Sequence, residues 1–168
     1  MENIFLVNGD ITKANVDAIV NAANTTLLGG GGVDGAIHRA AGPELLQACS
    51  QLDEVNGVRC PFGQARITPA GKLNAKFVIH TVGPIYKNSP NPKATLESAY
   101  ENSLDLALAN GCRTVALPAI SCGIYGYPLD EAAKIAISVC NRKKYQPITM
   151  TFYLFGEDVL LAWQKALS

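Results

Sequence analysis

The chain has 168 residues, of which 48% are hydrophobic, and this size suits one domain with a single core. Fourteen Lys and Arg residues balance fourteen Asp and Glu residues, so no net charge attracts polyanions from a distance. Nucleic acid is therefore not the expected partner. A bound phosphate group would have to be held by backbone dipoles more than by lysines.

The cysteine and histidine pattern argues against a metal centre or a disulfide framework. The five cysteines show no CxxC spacing, and His38 and His80 lie outside any cluster that would bind zinc. We expect free thiols, no metal and no cofactor. The N-terminus lacks the features of a signal peptide, and no stretch approaches the roughly 20 apolar residues of a membrane span. A cytoplasmic protein without a membrane partner is expected.

Strand-like apolar runs alternate with helical patterns, which predicts an α/β domain. Several runs are continuously apolar, as expected for strands covered on both faces. The predicted strands are Ile4–Asn8, Ala18–Ala22, Gln64–Pro69, Phe77–Val82, Thr114–Pro118 and Ile148–Phe155.

Five helices are predicted from apolar residues at helical spacing. The last carries Val159, Leu160, Trp163 and Leu167 on one stripe, which is interpreted as core. The chain has no repeat and no linker, so residues 1–168 are predicted to form a single domain. The predicted helices are Val33–Ala41, Pro43–Leu52, Pro92–Asn110, Pro128–Lys143 and Glu157–Leu167.

Two glycine-rich loops share one layout of strand, loop and helix. The first runs from Asn24 through Gly29–Gly32 into a helix at Val33, and the second runs from Ser121 through Gly126. Ligands of open α/β sheets bind beyond the carboxyl ends of strands, where glycines and helix N-termini present N–H groups to anions. Together the loops predict a diphosphate cradle, although either loop alone fits a flexible turn equally well.

Two familiar phosphate motifs do not explain the first loop. The P-loop pattern needs Gly-Lys-Ser/Thr after the glycines, and that triplet is missing. A GxGxxG match exists at Gly30, Gly32 and Gly35, but the acidic residues about 20 positions on, Asp53 and Glu54, end a helical pattern instead of a second strand. A redox NAD site is therefore a minor alternative.

Five segments, in order, resemble the macrodomain family. The stretch Gly32–His38 is similar to its MacroD-like hydrolase subclass, and the resemblance extends from Gly9 to the final helix. The five segments are Asn8-Gly9-Asp10-Ile11-Thr12, Val20-Asn21-Ala22-Ala23-Asn24, Gly32-Val33-Asp34-Gly35-Ala36-Ile37-His38, Ile79-His80-Thr81-Val82-Gly83-Pro84 and Gly123-Ile124-Tyr125-Gly126-Tyr127-Pro128.

The resemblance implies a three-layer α/β/α sandwich around a mixed, six-stranded sheet. It also implies an ADP-ribose cleft and hydrolysis of esters on the distal ribose. The substrates it implies are O-acetyl-ADP-ribose and proteins that carry mono-ADP-ribose on Asp or Glu. A reader that binds ADP-ribose without cleaving it, and an RNA-linked regulatory protein, remain alternatives.

The resemblance assigns adenine binding to Asp10, with help from the backbone N–H of Ile11. Without it, Asp10 fits an Asx turn or an N-cap ahead of Thr12. Phe155 is assigned to stack on adenine, although core packing is nearly as good an interpretation because Phe152 and Tyr153 compete for the stacking role.

Catalysis is assigned to Asp34 and Asn24, which would position a water beside the scissile bond. From spacing alone, Asp34 fits a first-turn acid that the helix dipole favours, and Asn24 fits turn chemistry. A diphosphate near Asp34 would raise its pKa towards that of a useful base. Asn21 is interpreted as a brace of the strand end, and is left out of the catalytic pair.

The remaining predicted contacts to the phosphates and ribose come mainly from the backbone. Tyr125 would pack over the distal ribose, or be an ordinary loop aromatic. Cys122 is interpreted as structural because no base is paired with it, His80 as a core histidine and His38 as a helix-face residue. Phe62 and Gln64 depart from the family's usual Thr-Gly-Glu. The predicted backbone contacts are Gly32, Val33, Ser121, Cys122, Gly123 and Ile124.

Overall fold

The computed structural model describes all 168 residues and contains one mixed sheet of six strands. The strand order is β1-β6-β5-β2-β4-β3; β3 runs antiparallel to β4 and all other pairs are parallel. The mixed, six-stranded sheet expected from the family resemblance is thus confirmed. The strands are β1 (Ile4–Asn8), β2 (Ala18–Ala22), β3 (Ala65–Pro69), β4 (Phe77–Thr81), β5 (Thr114–Leu117) and β6 (Thr149–Leu154).

Five α-helices cover both faces of this sheet. One apolar core packs α3, α4 and α5 on one face, and a second packs α1 and α2 on the other. The three-layer α/β/α arrangement is therefore confirmed. None of the helices combines the length and the apolar character that crossing a bilayer requires. The helices are α1 (Gly32–Ala41), α2 (Pro43–Ser50), α3 (Pro92–Ala109), α4 (Leu129–Cys140) and α5 (Glu157–Leu167).

Strand β2 shows why the central strands are apolar throughout. Ala18 and Val20 contribute to the core under α3 and α4, whereas Ile19 contributes to the core under α1 and α2. Successive side chains of a strand point to opposite faces, so a strand between two helical layers needs apolar residues at every position.

The predicted element boundaries differ from the structure by a few residues. The largest difference is at α4, predicted as Pro128–Lys143, because Asn141 caps the helix and Lys143–Tyr145 forms a separate 3-10 turn. The α2 helix ends at Ser50 instead of Leu52, and β6 stops one residue before Phe155. The core role predicted for α5 is confirmed, since Trp163 is fully buried.

The parallel strands bring the predicted site residues to one edge of the sheet. Asp10 follows β1, Phe155 follows β6, Ser121 lies beyond β5 and Asn24 lies beyond β2. These four strands are neighbours in the order β1-β6-β5-β2. With strands about 4.8 Å apart, the edge from β1 to β2 measures roughly 14 Å.

Candidate active site

The first loop begins with a hydrogen-bonded turn built by Asn24. Its Oδ1 accepts hydrogen bonds from the N–H and hydroxyl of Thr26, at 3.1 and 2.7 Å, and its Nδ2 donates to the carbonyl of Gly29 at 3.0 Å. The turn chemistry considered for Asn24 is thus present in the structure. It does not use up the amide, because Nδ2 carries a second hydrogen.

The N-terminus of α1 presents free backbone donors to this edge. Gly31 occupies the N-cap position and provides no side-chain cap. The N–H groups of Gly32, Val33 and Asp34 have no acceptor within the protein. Unpaired donors at the positive end of a helix dipole form a binding site for an anion.

Asp34 lies in the first turn of α1 and is only 5% exposed. Its Oδ1 accepts a hydrogen bond of 2.8 Å from Asn21 Nδ2, and His38 Nε2 lies 3.4 Å from the same oxygen without hydrogen-bond geometry. Burial raises the pKa of Asp34, while the hydrogen bond from Asn21 and the nearby His38 oppose that shift. Asp34 is therefore a shielded carboxylate with one oxygen anchored.

Gly30 sits between the two predicted catalytic side chains. A Cβ at this position would lie 3.1 Å from Asp34 Oδ2 and 3.3 Å from Asn24 Nδ2. The absence of a side chain leaves room beside both polar atoms. The structure therefore brings Asp34 and Asn24 together across one glycine.

The second loop offers another row of free donors. The N–H groups of Gly123, Ile124 and Tyr125 have no acceptor within the protein. The loop is anchored at Ser121, which has φ +66° and donates from Oγ to the carbonyl of Pro84 at 2.7 Å. That anchoring contact holds a residue other than glycine in a backbone conformation that costs about 1 kcal/mol or more.

Two side chains of the second loop, Cys122 and Tyr125, have raised pKa values. The Cys122 thiol contacts the carbonyl of Ile120 at 3.5 Å, and burial raises its pKa to about 12, so it is a poor nucleophile at neutral pH. Tyr125 is half-buried, and its pKa is raised by burial and by the negative charge of Asp34.

Asp10 lies at the other end of the edge and is exposed. Its Oδ1 accepts from the N–H and the hydroxyl of Thr12, at 2.9 and 2.7 Å, so the predicted N-cap contact is present. The hydrogen bonds from Thr12 lower the pKa of Asp10. Its second carboxylate oxygen and the N–H of Ile11 have no protein partner and can serve a ligand.

The exposure of the three aromatic residues near the end of β6 settles which of them faces the cleft. Phe152 is fully buried against Trp163, and Tyr153 packs against the α1 and α2 core. Phe155 is 81% exposed and borders an open cleft of about 630 Å³ beside Cys122 and the start of α5. The alternative interpretation of Phe155 as a core residue is therefore wrong.

The segment that departs from the family pattern lies behind the first loop. Gly63 donates its N–H to the carbonyl of Val82, and Gln64 Oε1 accepts from Arg66. The preceding residues Arg59 and Cys60 both donate backbone N–H groups to Thr25. The residues immediately before this segment thus hold the first loop in place.

The structure corrects the interpretation of Asn21 as a brace of the strand end, because its side chain contacts the Asp34 carboxylate. It is fully buried and donates directly to Asp34. The alternation of β2 contains the signal: Ile19 faces the α1 side, so Asn21, two residues on, faces it too. His80 is fully buried as predicted, but it also contacts Asn21 at 3.3 Å. His38, predicted on a helix face, contacts Asp34.

The sheet order and the two loops define a macrodomain, and the chain belongs to this family: the macro domain family model matches residues 20–136. A macro domain-containing protein of Vibrio parahaemolyticus is 66% identical over 100% of this chain and 99% of its own length. An O-acetyl-ADP-ribose deacetylase of Citrobacter koseri is 60% identical over 98% of this chain and 95% of its own.

A solved structure with the same fold contains a bound ligand. It is a variant Oceanobacillus iheyensis macrodomain with ADP-ribose, which is 43% identical to this chain. The TM-score is 0.90, and the match covers 96% of this chain and 90% of the other.

Proposed function

We propose that this protein binds ADP-ribose and hydrolyses esters on its distal ribose, with O-acetyl-ADP-ribose as a substrate. The observation that carries the proposal is the buried Asp34 carboxylate beside two rows of free backbone donors. The named activity of the Citrobacter koseri relative supports it.

The order of the loops along the edge fits an extended ligand. Phe155 and Asp10 lie beyond neighbouring strands and would hold the adenine, Phe155 by stacking and Asp10 by accepting from the exocyclic amine. The free N–H groups of both loops would bind the diphosphate. The distal ribose would then lie between Tyr125 and Asp34; burial and the charge of Asp34 raise the pKa of Tyr125, which keeps the phenol protonated.

The chemical step needs a water held against the ester. Asp34 Oδ2 and Asn24 Nδ2 flank the open space at Gly30 and would hold that water. The Asp34 carboxylate takes a proton from the water as the water oxygen attacks the acetyl carbonyl; the bond to the ribose oxygen then breaks, the ribose oxygen takes up a proton, and the products are acetate and ADP-ribose. Fixing water and ester in one geometry supplies much of the rate in such a site. We propose that no metal or other cofactor takes part.

Proteins modified on Asp or Glu carry the same kind of ester and are proposed as further substrates. There the water attacks either the acyl carbon or the ribose carbon. Hydrolysis in ¹⁸O-labelled water followed by mass spectrometry separates the two, because the label enters the freed carboxylate or the freed ADP-ribose.

Incubation with O-acetyl-ADP-ribose tests the proposed function directly. Mass spectrometry should show acetate and ADP-ribose at equal yield, with the same rate when a chelator is added. Binding of ADP-ribose without any product would instead establish a reader. Tight, salt-dependent binding of RNA would support the regulatory alternative.

We also propose a cytoplasmic location. All five cysteines are free thiols in the structure, four of them buried, as is typical of proteins from a reducing compartment. Fractionation of the native cells with an antibody against the protein tests this.

Asp10→Ala should weaken ADP-ribose binding by about 10-fold or more, because a hydrogen bond to a charged group contributes roughly 1.5–3 kcal/mol. Asp10→Asn is the matched control. Its amide oxygen can still accept from Thr12, but its NH₂ group would then face the adenine amine. Calorimetry should show weak binding for both variants and reduced thermal stability for alanine alone. Unchanged affinity in both would remove Asp10 from the adenine pocket.

On acidification, turnover should begin to fall at a higher pH than it would if an ordinary aspartate were the base, because burial raises the pKa of Asp34. As the pH drops through that pKa, kcat/KM should fall. The profile of kcat should fall at a higher pH still, since the bound diphosphate favours the protonated carboxyl.

Unfolding should not account for that acid limb. A carboxyl whose pKa is raised on folding lowers stability at neutral pH, and this cost disappears as the pH falls, so protonation of Asp34 favours the fold. Asp10 and Asp17, whose pKa values are lowered by hydrogen bonds, lose their stabilising effect progressively as the pH falls from the usual carboxyl range towards those lowered values. Circular dichroism across the same pH range checks this, and a parallel loss of fold and turnover would contradict it.

A further inference from the structure

A chain of buried polar side chains lies behind Asp34 and crosses three strands. Asn21 on β2, His80 on β4 and Thr68 on β3 are 0%, 0% and 4% exposed. Asn21 and His80 are register partners on neighbouring strands. All three point to the face covered by α1 and α2, because Ile19, Val78 and Ala70, each two residues away, belong to that core.

The hydrogen bonds of this chain run in one direction. Asn21 Nδ2 donates to Asp34 Oδ1 at 2.8 Å, and an ionised carboxylate can only accept. The same nitrogen lies 3.3 Å from His80 Nδ1, so its second hydrogen points to that atom and Nδ1 must accept. The proton of the neutral imidazole is therefore on Nε2.

The far side of the His80 ring fits this tautomer. Nε2 lies 3.0 Å from the Thr68 hydroxyl and 3.5 Å from Cys49 Sγ. The Thr68 hydroxyl donates in turn to the carbonyl of Pro69 at 3.0 Å, which leaves its oxygen free to accept from Nε2. Burial lowers the pKa of His80 to about 3, with a smaller contribution from His38, so the ring is neutral at physiological pH.

The hydrogen bonds to Asp34 and His80 prevent the Asn21 amide from rotating by 180°, which would exchange its oxygen and its nitrogen. A turned amide would place its oxygen against the Asp34 carboxylate and against the lone pair of His80 Nδ1, and would lose both hydrogen bonds. We propose that His80 is a positioning residue: it holds the Asn21 amide so that Asp34 Oδ1 is fixed and Oδ2 faces the reacting water. This inference rests on the proposed hydrolysis by Asp34.

Two substitutions of His80 separate positioning from filling space. Asn carries its carbonyl oxygen on the same atom, Cγ, that carries Nδ1 in histidine, so His80→Asn retains an acceptor for Asn21. Gln carries its polar groups one bond further out, so His80→Gln retains a partner for Thr68 only. Asn is the smaller residue and leaves the larger cavity. If His80 only fills space, His80→Asn should therefore lose more stability and more turnover than His80→Gln.

Positioning predicts the opposite ranking for turnover. His80→Gln should lower kcat by about 10- to 100-fold with KM changed less than about 3-fold, because a misplaced catalytic group affects the chemical step. His80→Asn should retain kcat within about 5-fold of the wild type, although its melting temperature should be the lower of the two. Equal kcat values for both variants, or a lower kcat for His80→Asn, would overturn the proposal.

The tautomer is tested separately, without any substrate. In uniformly ¹⁵N-labelled protein at pH 7, the nitrogen shifts of His80 should show protonated Nε2 and bare Nδ1, and a protonated Nδ1 overturns the proposal. Wild-type protein and Asp34→Ala are included in the kinetic series. An inactive wild type refutes the proposed function, whereas an active wild type with wild-type kcat in His80→Gln refutes only the role of His80.

Discussion

Replacement of Asp34 by alanine should lower kcat for O-acetyl-ADP-ribose by about two orders of magnitude or more, and leave ADP-ribose affinity nearly unchanged. The carboxylate is buried, anchored by Asn21 and adjacent to the open space at Gly30. In the proposed reaction its contribution falls on the reacting water, whereas the diphosphate contacts are assigned to backbone donors that the substitution leaves in place. An interaction made mainly in the transition state lowers kcat and kcat/KM when it is lost.

Asp34→Asn is the matched variant because it retains the shape of the side chain. Its Oδ1 can accept from Asn21, but the amide cannot take a proton, so turnover should be as low as in the alanine variant. Alanine also leaves one hydrogen of the Asn21 amide without its acceptor, at a cost of about 1–3 kcal/mol, which the loss of a buried charge partly offsets. Denaturant unfolding should therefore show asparagine as the more stable variant.

Kinetics and calorimetry on the same preparations decide the outcome. Undiminished turnover in Asp34→Asn would exclude Asp34 as the base and favour a substrate phosphate as proton acceptor. Loss of ADP-ribose binding in both variants would mean that the carboxylate supports the cradle instead of the chemistry.

Gly35→Ala should weaken ADP-ribose binding by about 10-fold or more and destabilise the fold. The new Cβ would lie 2.5 Å from the carbonyl oxygen of Gly30, which belongs to the backbone and cannot move without displacing the first loop. Overpacking of this kind costs about 1–3 kcal/mol. Alanine in a helix gains only about 0.5–1 kcal/mol over glycine, so the steric cost outweighs the gain in propensity.

The same Cβ would also lie 3.1 Å from an Arg39 side-chain nitrogen, and this defines the control. Arg39→Ala alone should bind ADP-ribose normally, since its long, exposed side chain can give way. The double variant Gly35→Ala/Arg39→Ala should remain as weak as Gly35→Ala, because the obstacle is the Gly30 backbone. Recovery of binding in the double variant would place the clash at Arg39 and refute the proposed role of the loop.

Much of the fold was accessible from local patterns. The strands were placed by their continuous apolar runs, and α5 was predicted with its observed bounds, Glu157–Leu167. The errors lie at ends such as that of α4, where capping at Asn141 decides where the helix stops. The sequence of the two glycine loops also predicted the free backbone donors that both loops present at the same edge.

For Asp10 and Asn24 the sequence alone allowed either a turn contact or a contact with a ligand. In the structure the turn contact is present at both residues and does not prevent a ligand contact. Each side chain makes the predicted turn contact with one set of atoms. Each also keeps an unused atom for a ligand: a carboxylate oxygen in Asp10 and an amide hydrogen in Asn24. A polar group with several bonding positions can serve a turn and a site together.

The segment from Asn24 to Asp34, to which catalysis is assigned, was identified from the sequence itself, with its glycines and its acidic end, because residue type and spacing decide turns, helix starts and free donors. Only the tertiary structure decided which groups surround Asp34. Asn21 reaches it from 13 residues away, and His80 contacts Asn21 across 59 residues. Such contacts depend on which strands become neighbours in the sheet, and the packing of the whole chain sets that order.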